Sequence, residues 1–147
     1  MKNYFFGLTA LVLLGMAACK KSDSRTPDCS DPVTFSLGDT LTLCLGQQAK
    51  FSGNAEVPDF SVTDVPFDNR CPIDAMCITA GWVETQIKFT LAGQTTTDTL
   101  STIDANVIHP DSTSVGTARF RLLDATPYPK LGQVIDKQDY KIKIVVW

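Results

Sequence analysis

Apolar and polar residues alternate along most of the chain beyond residue 32, the period of a strand that buries one face. The cleanest stretch is 83–91, with Val83, Thr85, Ile87, Phe89 and Leu91 on one side and Glu84, Gln86, Lys88 and Thr90 on the other. Residues 140–147 set Tyr140, Ile142, Ile144 and Val146 against Lys141, Lys143, Val145 and Trp147. Ala118, Phe120 and Leu122 form a third inward row, with Arg119 and Arg121 outward. Shorter alternating runs lie at 33–37, 41–45, 49–52 and 60–65, the last placing Phe60, Val62 and Asp64 on one side. Pro58 and Pro66 bracket it, as prolines do at strand limits.

Turn residues set the expected pairings. If runs 33–37 and 41–45 pair directly, a three-residue loop through Gly38 matches Leu37 with Leu41, Phe35 with Leu43 and Val33 with Leu45. Cys44 then faces away from the apolar row. An Ala92-Gly93-Gln94 turn leads into a strand at 95–99, sets Lys88 across from Asp98, and leaves Leu100 out of phase, so that strand bulges or stops there. Residues 101–114 lack a period and read as a loop, and Pro127-Tyr128-Pro129 reads as a stiff one. Seven or eight short strands without a convincing helix predict an all-β fold, a single antiparallel β-sandwich. Composition agrees: fourteen aspartates against two glutamates favour turns over helices.

The first residues do not belong to that pattern. Lys2 precedes an uncharged apolar run at 4–18, too short to span a bilayer, which needs about 20 residues, and of signal-peptide length. It ends Met16-Ala17-Ala18-Cys19, which resembles the bacterial lipobox with methionine in place of the usual leucine. The resemblance implies cleavage before Cys19 and acylation of that cysteine. Residues 1–18 are thus expected to be a lipoprotein signal peptide, 19–28 a polar flexible tether, and 29–147 the β-sandwich domain. The Lys-Ser-Asp run after Cys19 is similar to lipoproteins of the Bacteroidota type, some of which are displayed at the cell surface. The expected partner is a lipid bilayer, and the expected location is the outer membrane, on its periplasmic face or at the surface. A net charge of −3 with scattered lysines argues against nucleic acid, which asks for a basic stripe.

Besides Cys19, the chain holds Cys29, Cys44, Cys71 and Cys77. An even number in an exported domain predicts two disulfides, with three connectivities open. Short loops close at lower entropic cost, which favours Cys71–Cys77 and Cys29–Cys44. Zinc would want close Cys-x-x-Cys knuckles, which are absent. The alternative is a redox-active Cys71/Cys77 pair, with Arg70 beside it as the feature that would depress a thiol pKa, or an unrecognised hydrolase using the same corner.

The stretch from Asp68 to Trp82 resembles a largely uncharacterised group of small bacterial lipoproteins that carry Asp-Ser-Arg-Cys-Pro and then Cys-x-Trp-Ala-Gly. The matching residues are Asp68, Arg70, Cys71, Pro72, Cys77, Ala80 and Gly81, with Asn69 and Thr79 departing from the pattern. The likeness extends over 33–147 and includes Pro127-Tyr128-Pro129 and the Tyr140 strand. It implies a disulfide-bonded β-sandwich and no reaction. Trp82 stands where it could supply the ring that Thr79 lacks.

Catalytic patterns are absent: one histidine, His109, lies in a loop, and neither a nucleophile elbow nor a phosphate loop occurs. Asp59, Asp64, Asp68 and Asp74 cluster in sequence but lack calcium-loop spacing. Asp68 and Arg70 could pair across the corner. The expectation is therefore a binding or structural module without cofactor or metal, facing a protein or glycan partner. Tyr128, rigid between two prolines, and Trp82 are the candidate ligand contacts.

Overall fold

The computed structural model describes residues 29–53, 56–103 and 108–147. The expected signal peptide, Cys19 and the expected tether all lie outside the described residues. The strands are β1 (Val33–Phe35), β2 (Thr40–Cys44), β3 (Gln48–Phe51), β4 (Asp59–Asp68), β5 (Val83–Leu91), β6 (Gln94–Ser101), β7 (Ser112–Val115), β8 (Ala118–Thr126) and β9 (Lys141–Val146). A 3₁₀ turn, Lys137–Asp139, precedes β9. Two sheets pack face to face, one ordered β1-β3-β4-β5-β6 and the other β2-β9-β8-β7. This is the expected sandwich, with β1 and β3 as a parallel pair in an otherwise antiparallel fold.

The inward rows of β5, β8 and β9 meet as expected. Val83, Ile87, Phe89, Phe120, Ile142, Ile144 and Val146 are all buried. Phenylalanine rings bridge the sheets, with Phe60 on Phe120 at 5.2 Å and Phe89 on Phe120 at 4.8 Å between centroids. Such pairs contribute about 0.5–1.5 kcal/mol each beyond their buried area.

Four local expectations are corrected. Runs 33–37 and 41–45 do not form a hairpin: β1 pairs with β3 and β2 with β9, so the connection at 36–39 crosses from one sheet to the other. Phe35 and Leu43 are both buried, from opposite sheets. Alternation reports which face is buried but not which strand lies alongside. Cys44 does face away from the core row as expected, opposite Lys141, and is buried on that outer side where it bonds to Cys29.

In β4 the ladder slips between Val62 and Asp64 and again before Phe67. The first slip changes the parity, so Val65 enters the core in place of Asp64. Pro66 sits inside β4, at the second irregularity, where the ladder asks no donor of it.

The β5–β6 turn has two residues, Ala92 and Gly93, with φ of 49° and 79°, and closes on Leu91 opposite Gln94. Ile87, not Lys88, lies across from Asp98, and Leu100 comes into phase opposite Thr85 and is fully buried. One residue of loop length moves every β6 side chain to the other face. Finally, the expected loop at 101–114 contains β7, which pairs with β8.

The two ends of the sandwich differ. One end carries the tight connections at 36–39, 92–93 and 116–117 and the loop at 52–58. The other gathers the turn at 45–47, the corner at 69–82, the connection at 102–111, the connection at 127–140, and the chain's entry at Cys29. Both disulfides, Cys29–Cys44 and Cys71–Cys77, are at this second end, here called the stapled end.

Candidate functional site

The corner at 69–82 begins as a continuation of the β4–β5 pairing. Asn69 N–H donates to the Trp82 carbonyl at 3.0 Å, Trp82 N–H to Asn69 Oδ1 at 2.7 Å, and Cys71 N–H to the Ala80 carbonyl at 2.8 Å. Gly81 is at φ 69°, and a Cβ there would run into the Asn69 carbonyl, so the close approach requires glycine. The Cys71–Cys77 bond closes the tip, with Cα atoms 5.9 Å apart. The tip then docks on the β8–β9 connection: Ile73 N–H donates to the Pro129 carbonyl at 3.0 Å, and Leu131 N–H to Asp74 Oδ1 at 2.8 Å.

Beneath this corner lies Arg70, 6% exposed. Its Nε and Nη2 grip the two Asp68 oxygens at 2.9 and 2.7 Å, and Nη2 also reaches the Pro127 carbonyl at 3.0 Å. Nη1 donates to the Ala125 carbonyl and has Asp124 Oδ1 at 3.7 Å. Tyr140 completes the frame, its hydroxyl donating to Asp68 Oδ2 at 2.9 Å.

A buried, fork-to-fork pair of this kind joins β4 to the ends of β8 and β9. Burial alone would raise the Asp68 carboxyl, but the Arg70 and Tyr140 hydrogen bonds outweigh it and hold its pKa below the ordinary range. Burial would likewise lower Arg70, and Asp68 reverses that and raises it. Burial, then the hydrogen bond to Asp68 and its charge, push Tyr140 up to about 12.

Tyr128 lies over the Arg70 guanidinium, 4.4 Å from carbon to ring centroid. One ring face is thereby fixed, and the residue remains 43% exposed. It stands beside a groove of about 450 Å³ whose walls include Arg70, Gly81, Thr102, Asp124 and Lys143. Asp124 and Lys143 are cross-strand partners on β8 and β9, so the groove opens on the outward side of the four-stranded sheet. Arg70's hydrogen bonds are made within the frame. The groove therefore offers a ligand an aromatic surface, an ammonium, a carboxylate and a hydroxyl. That set suits a polar molecule with one flat apolar face.

Of the two aromatic contacts expected from the sequence, the groove includes Tyr128 but not Trp82. Trp82 donates its indole N–H to Glu84 Oε1 at 3.1 Å and packs on Phe67 at 5.4 Å, bracing the start of β5. Arg70 turns into its frame with Asp68, leaving the redox alternative without the feature that suggested it. His109 lies 3.9 Å from Glu84. The four clustered aspartates separate: Asp59 caps Phe51 N–H, Asp64 holds Lys137 at 2.6 Å, Asp68 holds Arg70, and Asp74 caps Leu131 N–H.

Thr102, Asp124 and Lys143 carry no signal in the sequence, because three different strand ends bring them together. Tyr140 had one: an inward tyrosine needs a partner for its hydroxyl. Comparison with protein-family models, with curated proteins and with solved structures found no match to this chain.

Proposed function

We propose that the protein is an exported lipoprotein of the bacterial envelope, anchored to the outer membrane through acylated Cys19, and that it works as a binding module. The observation that carries the binding reading is Tyr128, pinned on one face by Arg70 and left half exposed beside the groove. A sugar ring fits that arrangement, since its apolar face stacks on an aromatic while its hydroxyls take the Lys143 and Asp124 groups. A protein loop with a flat side chain meets the same chemistry less completely. The two disulfides agree with an oxidising compartment, and the apolar run ending Met16-Ala17-Ala18-Cys19 is the signal that would direct acylation of Cys19.

Two measurements test it. Labelling with a radioactive fatty acid should mark the parent and not Cys19→Ser; an unmarked parent overturns the anchor. Titration of the protein with envelope oligosaccharides, followed by NMR, should shift the Tyr128, Thr102 and Lys143 resonances together. Tyr128→Ala should weaken binding by about tenfold, the order of 1–1.5 kcal/mol for a lost aromatic contact. Shifts that spare all three positions would remove the groove from the reading.

A further inference from the structure

Large apolar side chains that stand more than half exposed are confined to one end of the molecule among the described residues. They are Ile73 (63%), Met76 (101%), Ile78 (105%), Ile108 (91%), Leu131 (69%) and Val134 (97%). All six lie in the three long connections of the stapled end. The tight-turn end has none above half, its most exposed being Leu37 at 49% and Trp147 at 45%. Singly exposed apolar residues are ordinary; six on one end, with none on the other, are not.

The chain outside the structure supplies the occupant. It enters at Cys29, which is bonded to Cys44 at this same end. Residues 19–28 separate that point from Cys19, and ten residues reach at most about 35 Å even when fully extended. A nine-residue strand such as β5 is itself about 30 Å long. Bringing the tight-turn end to a bilayer would require the tether to be stretched almost to its limit along the sandwich. The stapled end reaches the same bilayer with the tether relaxed.

The shape of the apolar groups agrees. Met76 and Ile78 protrude on either side of the Cys77 staple with essentially their whole side chains in solvent. A side chain that stands clear on all sides is covered best by a fluid that closes around it, as the acyl boundary of a membrane does. Beside them the docking of Ile73 on Pro129 and of Leu131 on Asp74 holds two of the loops as one unit. The groove of Tyr128 belongs to this end too, with Gly81, Thr102 and Tyr128 in its wall, and runs onto the outward side of the four-stranded sheet at Asp124 and Lys143.

We infer that the stapled end is the membrane-facing end of the domain, and that Ile73, Met76, Ile78, Ile108, Leu131 and Val134 enter the interfacial layer of the bilayer that holds acylated Cys19. This rests on the anchoring proposed above and specifies the orientation it produces. The disulfide at 71–77 then serves to keep two exposed apolar side chains projecting from a segment that buries little of itself.

The experiment uses the full lipidated chain in phosphatidylethanolamine–phosphatidylglycerol vesicles with brominated acyl chains. A tryptophan is added at Ile78→Trp or Met76→Trp, or at Leu37→Trp on the opposite end, and the parent's own tryptophan signal is subtracted. The expected result is quenching at 76 and 78 at least about twofold greater than at 37, with unchanged far-UV spectra. Equal quenching at both ends, or none at 76 and 78, overturns the orientation, including the case in which a protein partner covers these loops instead. Mass analysis of Cys19 separates the two readings. A chain without acyl groups removes both anchor and orientation, whereas an acylated chain with equal quenching keeps the anchor and loses only the orientation.

Discussion

The two ends of this sandwich solve the same problem in different ways. At the tight-turn end, three of the four connections reverse within a few residues, and glycines at positive φ carry those reversals: Gly38 at 95°, Gly93 at 79° and Gly116 at 62°. Main-chain bonds such as Gly38 N–H to the Val146 carbonyl and Thr117 N–H to the Glu56 carbonyl complete it. At the stapled end three of the four connections are long, and the corner at 69–82 buries little: Ile73, Met76 and Ile78 all face solvent. Hydrophobic burial cannot order such segments, so two disulfides and the Asp68–Arg70–Tyr140 frame do so. Local backbone chemistry suffices where the loop is short, and long-range bonds are needed where it is not.

Substitutions at the two ends should therefore differ in size. Arg70→Met is expected to have the largest effect, about 3–5 kcal/mol of unfolding free energy in urea titrations, because Asp68 would remain buried without its counter-charge. A change under about 1 kcal/mol would mean that the frame does not hold the end together.

Opening the staples ranks next. In the chain-entropy model Cys29→Ser with Cys44→Ser costs about 3 kcal/mol and Cys71→Ser with Cys77→Ser somewhat above 2. In both variants amide exchange should quicken at the stapled end and stay slow across the β5–β6 turn. Loss of protection at both ends alike would contradict the division. Zero titratable thiols in the unreduced mature domain, after denaturation, is the accompanying expectation, and a Cys71–Cys77 pair that cycles with mild reductant in the intact fold would revive the redox alternative.

Tyr140→Phe should cost about 1.5–2 kcal/mol, the contribution of a hydrogen bond to a charged acceptor. It also carries a pH signature. Because the folded pKa of Tyr140 is raised to about 12, its stabilisation is complete below about pH 10, the ordinary phenol value, and is lost as the pH rises through 12. Asp68 acts at the opposite limit: its folded pKa is lowered, so its share is complete above the ordinary carboxylate value of 3.8 and is lost as the pH falls through the folded value. The alkaline loss should be smaller in Tyr140→Phe, and an unchanged profile would show that the hydroxyl does not report on the frame.

The smallest effect belongs to the tight-turn end and has the opposite sign. Ala92 occupies the first position of a two-residue hairpin turn at φ 49°, where asparagine is favoured. Ala92→Asn should stabilise by about 0.5–1 kcal/mol, read as a higher urea midpoint with unchanged slope. A destabilisation would mean that the turn is not the strained point of that end.

The sequence by itself determined the longer strands and the buried faces of β5, β8 and β9, since a period of two needs only the local order of residues. Ile142, Ile144 and Val146 or Ala118, Phe120 and Leu122 could be assigned inward without knowing any neighbour. It also supported the local cysteine pairings, because loop-closure entropy depends on separation along the chain. It could not tell that β1 and β2 belong to different sheets, because the same alternation serves a hairpin and two facing strands. It misjudged the β5–β6 register because the turn at 92–93 is one residue shorter than its composition suggested. The Asp68–Arg70 pair was visible two residues apart, but Ala125, Pro127 and Tyr140 join it only when β4, β8 and β9 come to rest side by side. The groove and the one-sided distribution of exposed apolar residues exist only in the tertiary structure, since each depends on which strand ends the two sheets bring to the same side.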